Sequence, residues 1–484
     1  MAWLDSDALP LTGRLISPPL GSLGSLVLRR AEVDGALVDV RVDDAAVTSI
    51  GPPGSLGGAD REIRCGGGAL LPGLHDHHLH LMAMAAALNS VDVSRALDDA
   101  IRAAHGHARP GEWIRAVGYD EAESGLLDRW RLDELASGRP IRVQHRSGSM
   151  WVLNSAALEG IGALESREAG IERDPGGHPT GRLFRLDSWL HDRLPDRGPP
   201  DLAAVGRRLA SYGVTGVTDC TPATTLDHMY ALAEAVNCGV LPFAVAVTGG
   251  PELSETVPPG ALRQGPVKVV IADHSLPELR EVAEQFRRAH RVARPVAVHC
   301  VTRAALVLAL AAWQETGSIP GDRIEHAAVT PLDLAAAIAT LGIAVVTQPA
   351  FLAARGDTYL RDVEPDDQAD LYRCASLRDA GIDVGGSTDA PFGPDDPWIA
   401  IGAAVDRRSP LGVRVGLDRG LEPTTALDLF LAPLNRPGGP VRQVRVGGPA
   451  DLCLLDVPKR EVLSDPSSRH VAVTIAGGVE TYSG

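Results

Sequence analysis

Residues 294–315 read RPVAVHCVTRAALVLALAAWQE. The first seven place valines and a cysteine around one histidine, in a run short enough for a buried strand. The rest is rich in Ala and Leu with helical spacing. β-Branched residues favour strands, and Ala and Leu favour helices, so the stretch reads as one strand–helix unit. The unit recurs in both directions. Downstream lie DRIEHA (322–327), TPLDLAAAIATLG (330–342), GIAVVTQP (342–349) and GIDVGGSTDA (381–390). Upstream lie PVKVVIA (266–272) with PELREVAEQFRRAH (277–290), then LPFAVAV (241–247), VTGVTDC (214–220) and ALLPGLHD (69–76). Strands alternating with helices predict a parallel sheet. Their near-continuous apolarity predicts burial on both faces. Eight such runs are the number that closes a (β/α)8 barrel.

Two regions lie outside a minimal barrel. Residues 1–68 and 441–484 hold short alternating runs, such as VDVRVDDAAVTSIG and VAVTIAGGVETY, separated by Gly and Pro. They predict a small β-sandwich domain built from both chain ends, with the barrel spanning 69–440. Residues 91–210, between the first and second barrel runs, are too long for one βα connection. They read as a large insertion over the barrel mouth, where specificity elements usually sit. The expected fold is therefore α/β, a TIM-like barrel with a composite β domain and an insertion after the first strand.

The formal net charge is −16, which argues against nucleic acid or anionic membrane as a partner, since both require a basic footprint. The opening MAWLDSDALPLTGRLISPP lacks the positive start and apolar core of a signal peptide. Six scattered cysteines (65, 220, 238, 300, 374 and 453) fit reduced thiols and a cytoplasmic location. Cys300 follows His299 directly, but a small buried apolar side chain is the favoured reading of it.

Polar residues at strand ends carry the chemistry. Active sites of such barrels are built from the C-terminal ends of the strands. The stretch HDHHLH (75–80) offers two His-x-His pairs. Side chains alternate along a strand, so Asp76, His78 and His80 share one face while His75 and His77 take the other. The later pair is nearer the strand end, so His78 and His80 are the expected ligands. His75 and His77 become structural, and Asp76 becomes a partner orienting a ligand. His299, His326 and Asp389 end three further runs and add imidazole and carboxylate donors suited to zinc and its neighbours. Lys268 lies between valines, where an unpaired ammonium is costly. It either pairs with an acid such as Asp273 or reacts with CO2 to form a carbamate able to bridge two metals. Six donors suffice for two metals, whose shared water would ionise near neutral pH. Asp389 could bind one metal and carry a proton from that water to the leaving group.

These residues carry a resemblance. PGLHDHHLH resembles the PGxxDxHxH signature of the amidohydrolase superfamily, and GPVKVVIAD, VAVHC, RIEHA and GSTDAPF follow in its order. WVLNSAALEGIG (151–162), PTGRL (179–183) and VGGPADLCLLD (446–456) are similar to the N-substituted formamide deformylase-like branch, amidohydrolase family 3. The resemblance implies a binuclear centre, zinc being the usual metal. His78 and His80 would sit on one ion and His299 and His326 on the other. Carboxylated Lys268 would bridge them, and Asp389 would be ligand and proton shuttle. The implied reaction is attack of a metal-bridging hydroxide on an amide or related C–N bond of a small molecule. A mononuclear deaminase or cyclic-ring hydrolase of the same superfamily is the alternative. A catalytically silent scaffold is disfavoured, because all six ligand positions are filled. No sequence feature decides the oligomeric state, and a homo-oligomer is allowed.

The surrounding loops depart from the family. The R-x-DGH-like segment reads RSGSM (146–150), and IADHSLPEL places His274 where glycine is usual. The segment after the fifth strand, CVTRAA, lacks an acidic residue the family often has. The chemistry is expected to be kept and the substrate to differ. His274, Trp151 and Arg146 are the candidate substrate contacts. The alternatives are a solvent-facing loop for His274, core packing for Trp151 along with Trp113 and Tyr119, and pairing with a surplus carboxylate for Arg146.

Overall fold

The computed structural model describes residues 24–107, 112–195, 200–222, 224–250, 253, 262–273 and 275–484. His274 lies outside them. The eight barrel strands are β1 (Leu74–Leu79), β2 (Val214–Asp219), β3 (Ala244–Gly249), β4 (Arg263–Val270), β5 (Val296–Cys300), β6 (Arg323–His326), β7 (Ala344–Thr347) and β8 (Val384–Gly386). They form one parallel sheet whose order follows the sequence. Past the strand ends, the Asp389 N–H donates to the His78 carbonyl at 2.8 Å and the His80 N–H to the Ala390 carbonyl at 2.9 Å. These bonds bring the last strand's exit back to the first strand, making a nearly closed TIM-like barrel.

Helices α1 (Leu226–Asn237), α2 (Leu279–Arg291), α3 (Arg303–Thr316), α4 (Leu332–Leu341) and α5 (Ala350–Asp362) follow β2, β4, β5, β6 and β7. Sequence chemistry explains where they start and what they bury. The Thr302 hydroxyl accepts the Ala305 N–H at 3.2 Å and so caps α3 immediately after β5. On α2 the buried residues are Val282, Ala283, Phe286 and Ala289, spaced three and four apart on one face. Phe286 meets Trp313 of α3 with ring centroids 4.8 Å apart. The Trp313 indole N–H donates to Asp322 at 2.9 Å, and the same carboxyl group accepts the Val296 N–H at 2.8 Å. This corner joins two helices to two strand starts. Phe286→Ala is expected to cost about 3–5 kcal/mol of stability, as deleting a buried aromatic usually does. The check is a lower urea midpoint.

The chain ends form two four-stranded sheets. One contains Ser25–Val33, Ala36–Asp43, Ala46–Gly51 and Arg61–Arg64; the other contains Leu70–Pro72, Leu452–Leu455, Val471–Ala476 and Val479–Ser483. Leu28, Val40, Leu70, Leu454 and Ile475 share their buried core. One run is therefore split relative to expectation. Residues 69–76 read as a single barrel strand, yet Leu70–Pro72 pairs antiparallel with Leu452–Leu455. Gly73 separates the two pieces. A Cβ there would come within 2.2 Å of the Thr215 side chain, so only glycine lets the chain pass β2. The barrel strand begins at Leu74.

Residues Leu81–Val205 cluster as a separate compact unit. Its six-stranded sheet has the order Ile171–Arg173, Pro179–Phe184, Met150–Leu153, Ile141–His145, Ile114–Tyr119, Val91–Asp92. Among the described residues no helix is long and apolar enough to cross a membrane. All six cysteines are free thiols.

Candidate metal centre

The barrel brings the predicted strand-end residues together. His78 lies in β1 and His80 just beyond it, and His78, His80 and Asp389 can each offer one ligand atom within 4.8 Å of the others. Asp389 Oδ1 lies 3.1 Å from His80 Nε2 and 3.5 Å from His78 Nε2. Its Oδ2 is 4.0 Å from His326 Nδ1. The His326 ring lies 5.0 Å from that of His78 and 4.4 Å from that of His299, centroid to centroid. Four imidazoles from β1, β5 and β6 and one carboxylate after β8 thus converge.

Strand alternation alone would not allow this. Glu325 and His326 are consecutive, yet Glu325 Oε2 lies 2.5 Å from His78 Nδ1 while the His326 ring also faces His78. His326 has φ +73°, and the Ala327 N–H donates back to the Glu325 carbonyl at 3.0 Å. This is a γ-turn centred on His326, which swings its side chain back toward the barrel axis. Asp389 also has positive φ, at +54°. Such backbone is costly for a side-chain-bearing residue and concentrates at functional sites.

The donor set fits a cation. Glu325 accepts the proton of His78 Nδ1, leaving the Nε2 lone pair toward Asp389. Gln348 Oε1 lies 2.8 Å from His326 Nδ1 and holds that ring in the same way. Burial, with Lys268 nearby, pushes His78 down to about 3 and His299 well below its ordinary value. Burial alone would raise Asp389, but the surrounding histidines hold it well below the usual carboxylate range. The neutral His78 and His299 rings and an anionic carboxylate therefore make a donor set suited to a divalent cation.

Lys268 is buried at 4 % exposure, and its Nζ has no hydrogen-bond partner among the described residues. The alternative of a Lys268–Asp273 ion pair is not realised; Asp273 instead accepts the Thr302 hydroxyl at 2.7 Å. Lys268 is opposite Ala297 in the β4–β5 register, and Val270, two residues on, is opposite His299. An unpartnered buried amine close enough to act electrostatically on His78, His299 and His326 fits the chemistry of a lysine that takes up CO2 and becomes an anionic ligand.

Two orienting residues escaped the sequence reading. Glu325 holds His78, and its other oxygen accepts from Arg323 Nε at 2.7 Å. Burial would raise the Glu325 carboxyl, but the Arg323 guanidinium and the His78 contact hold it well below its ordinary value. The signal was present in RIEHA: an acid inside a buried strand is as costly as the lysine in PVKVVIA. Gln348 carried no such signal, since its role depends on β7 lying beside β6. Glu325→Gln is expected to weaken metal binding by about 10–100-fold, the usual effect of losing a group that orients a ligand. Competition with a chromogenic chelator measures it.

Asp76 acts on the backbone of His78. Its carboxylate accepts the His78 N–H at 3.1 Å, the Thr388 N–H at 3.2 Å and the Thr388 hydroxyl at 2.5 Å. It therefore ties His78 to the segment leading into Asp389, while the His78 ring is oriented by Glu325. Burial pushes Asp76 up to about 7. His75 and His77 are buried, with His75 Nδ1 2.9 Å from the Ala432 carbonyl. Cys300 is buried, and its thiol points to the Ala305 carbonyl.

The expected role of Trp151 in substrate contact is corrected. Its side chain is 0 % exposed within an apolar core of the Leu81–Val205 unit. Its indole N–H donates to Asp187 at 2.9 Å, and the Arg115 and Arg142 guanidinium groups lie 5.4 and 5.3 Å from its ring. Met150–Leu153 is buried on both faces, with Trp151 and Leu153 in one apolar cluster and Met150 and Val152 in another. Arg146 pairs with Asp120 at 2.7 Å, the surplus-carboxylate alternative.

Residues 61–482 match the amidohydrolase family. The chain is 26 % identical over 455 residues to N-substituted formamide deformylase of Arthrobacter pascens, covering 81 % of this chain and 84 % of that protein. Its fold is similar to that of an uncharacterized metal-dependent hydrolase from Pyrococcus horikoshii OT3, with TM-score 0.74 at 20 % identity, covering 92 % of this chain and 99 % of the other. N-isopropylammelide isopropylaminohydrolase from Burkholderia multivorans ATCC 17616 matches with TM-score 0.53 at 16 % identity over 94 % of this chain and 97 % of its own. With a match over most of its length and His/Asp donors gathered at the strand ends, the chain belongs to the amidohydrolase family of metal-dependent hydrolases acting on carbon–nitrogen bonds.

Proposed function

We propose that this protein hydrolyses the amide bond of a small neutral molecule, N-substituted formamides being the first class to test, at a centre of two divalent metals, zinc by preference. The observation that carries the reading is the buried Lys268 amine, without a hydrogen-bond partner among the described residues, near His78, His299 and His326 of the cluster that His80 and Asp389 complete. One metal needs three or four protein ligands, so this set is sufficient for two when Lys268 is carboxylated. His78 and His80 would hold one ion, His299 and His326 the other, and Lys268 would join them. When bound, such metals polarise a carbonyl oxygen and acidify water near neutral pH.

The chain's own residues supply positioning and proton transfer. Glu325 and Gln348 fix the tautomers of His78 and His326, so their Nε2 lone pairs need no reorganisation. Asp389, anionic and close to His80, takes the proton of the attacking water and returns it to the leaving nitrogen, so that the amine departs neutral. The substrate class is supported by the deformylase relative, 26 % identical over most of both chains.

The test joins metal analysis to a substrate screen on the same zinc-loaded sample. The expected result is close to two metals per chain and turnover of at least one N-substituted formamide or related acyclic amide. One tightly held metal with turnover only of ring substrates or exocyclic amines would overturn it in favour of the mononuclear alternative.

A further inference from the structure

The opposite mouth of the barrel holds a second feature. A cavity of about 260 Å3 opens among the strand starts. Arg263 and Arg323, the first residues of β4 and β6, line it together with Arg294, Thr218 and Asn435. That volume is many times what one water needs and just below the roughly 300 Å3 low end for organic ligands, so it suits a small ion. The lining contains three arginines and no Asp or Glu, in a chain of net charge −16.

Among the described residues, two of those charges have no acidic partner. Arg294 is 5 % exposed. Among the described residues its guanidinium donates only to carbonyls: Gly265 at 2.8 Å, Pro266 at 3.1 Å and Leu253 at 2.8 Å. Carbonyl dipoles satisfy most of its N–H groups but carry no net charge to offset its own. Arg263 is exposed at the rim and makes no ion pair among the described residues. Arg323 alone is matched, by Glu325. Thr218, 1 % exposed, has a hydroxyl with no hydrogen-bond partner among the described residues. The field reaches further: after burial itself, the Arg442 and Arg263 charges contribute to holding His75 neutral.

We infer that this cavity is an oxyanion site, taking one tetrahedral anion of sulfate or phosphate size between Arg263 and Arg294 at the end of the barrel remote from the metal ligands. The rim guanidinium of Arg263 can present a forked donor that matches such an anion. Arg294 contributes charge rather than a free fork, because its Nε and one terminal nitrogen already donate to carbonyls. A low-dielectric concavity lined by one sign of charge focuses the field. An occupant would lie one ion pair from the metal centre, through Arg323, Glu325 and His78. The inference does not depend on the proposed reaction.

The test is calorimetric titration of the metal-loaded protein with sodium sulfate against sodium chloride at matched ionic strength. One saturable sulfate per chain is expected. Arg263→Glu combined with Asn435→Glu, both at exposed positions, should weaken it at least about tenfold, as losing hydrogen bonds to a charged group does. Metal content and urea midpoint should stay at parental values. Should that variant not fold, Arg263→Gln alone should still weaken sulfate by a few-fold. A crystal soaked in selenate should show its anomalous peak beside Arg294. Absence of saturable binding, equal binding in the variants, or a selenate peak only at the metal ligands would overturn the inference.

Discussion

Asp389→Asn should lower kcat by about 10²–10⁴-fold, the range for losing a positioned proton-transfer group, while the protein folds normally. Asparagine keeps the shape of the side chain and its place beside His78, His80 and His326. It cannot accept and return a proton, and it removes the negative charge that those imidazoles face. Substrate binding does not require that charge, so KM should change far less than kcat. Steady-state kinetics on the best substrate, with metal content measured alongside, separates these effects. Turnover within a few-fold of the parent would remove Asp389 from the reaction.

The second large effect is expected at Lys268, with opposite signs in two states. With zinc in excess, Lys268→Met should hold one metal per chain or fewer and lose most activity, because the proposed bridging group is gone. In metal-free protein the same substitution should be neutral or stabilising by about 1–3 kcal/mol, since it replaces a buried amine lacking a hydrogen bond with an apolar chain of similar length. A purely structural lysine would predict destabilisation in both states. Metal analysis and urea denaturation, each with and without chelator, read the two signs. Retention of two metals would falsify the bridging role.

Much of the site was legible because its residues violate their surroundings. Lys268, His299 and Asp389 stand out as polar groups in apolar runs, and burial makes each costly unless it has work to do. The choice between the two His-x-His pairs followed from period-2 alternation, and the barrel places His78 and His80 beside Asp389. Glu325 was readable by the same criterion, being an acid in the buried strand RIEHA, but its neighbour His326 drew the attention. The split of residues 69–76 between a β-sheet strand and a barrel strand was less legible. Pro72–Gly73 marks a break, yet only the pairing partner, 380 residues later in the chain, shows where each half belongs.

Local chemistry and periodicity by themselves determined the βα repeat, the apolar strands that must be buried on both faces, and which polar residues had no place in them. Those properties depend on neighbours within a few positions. Tertiary structure decided what depends on residues hundreds of positions apart. It set Glu325 against the His78 ring, brought Gln348 to His326, and turned Trp151 into the core of its own unit. It also placed three arginines around one cavity at the far mouth of the barrel. A γ-turn at His326 is the clearest case, because one positive φ lets two consecutive residues serve the same centre, which alternation along a strand would forbid.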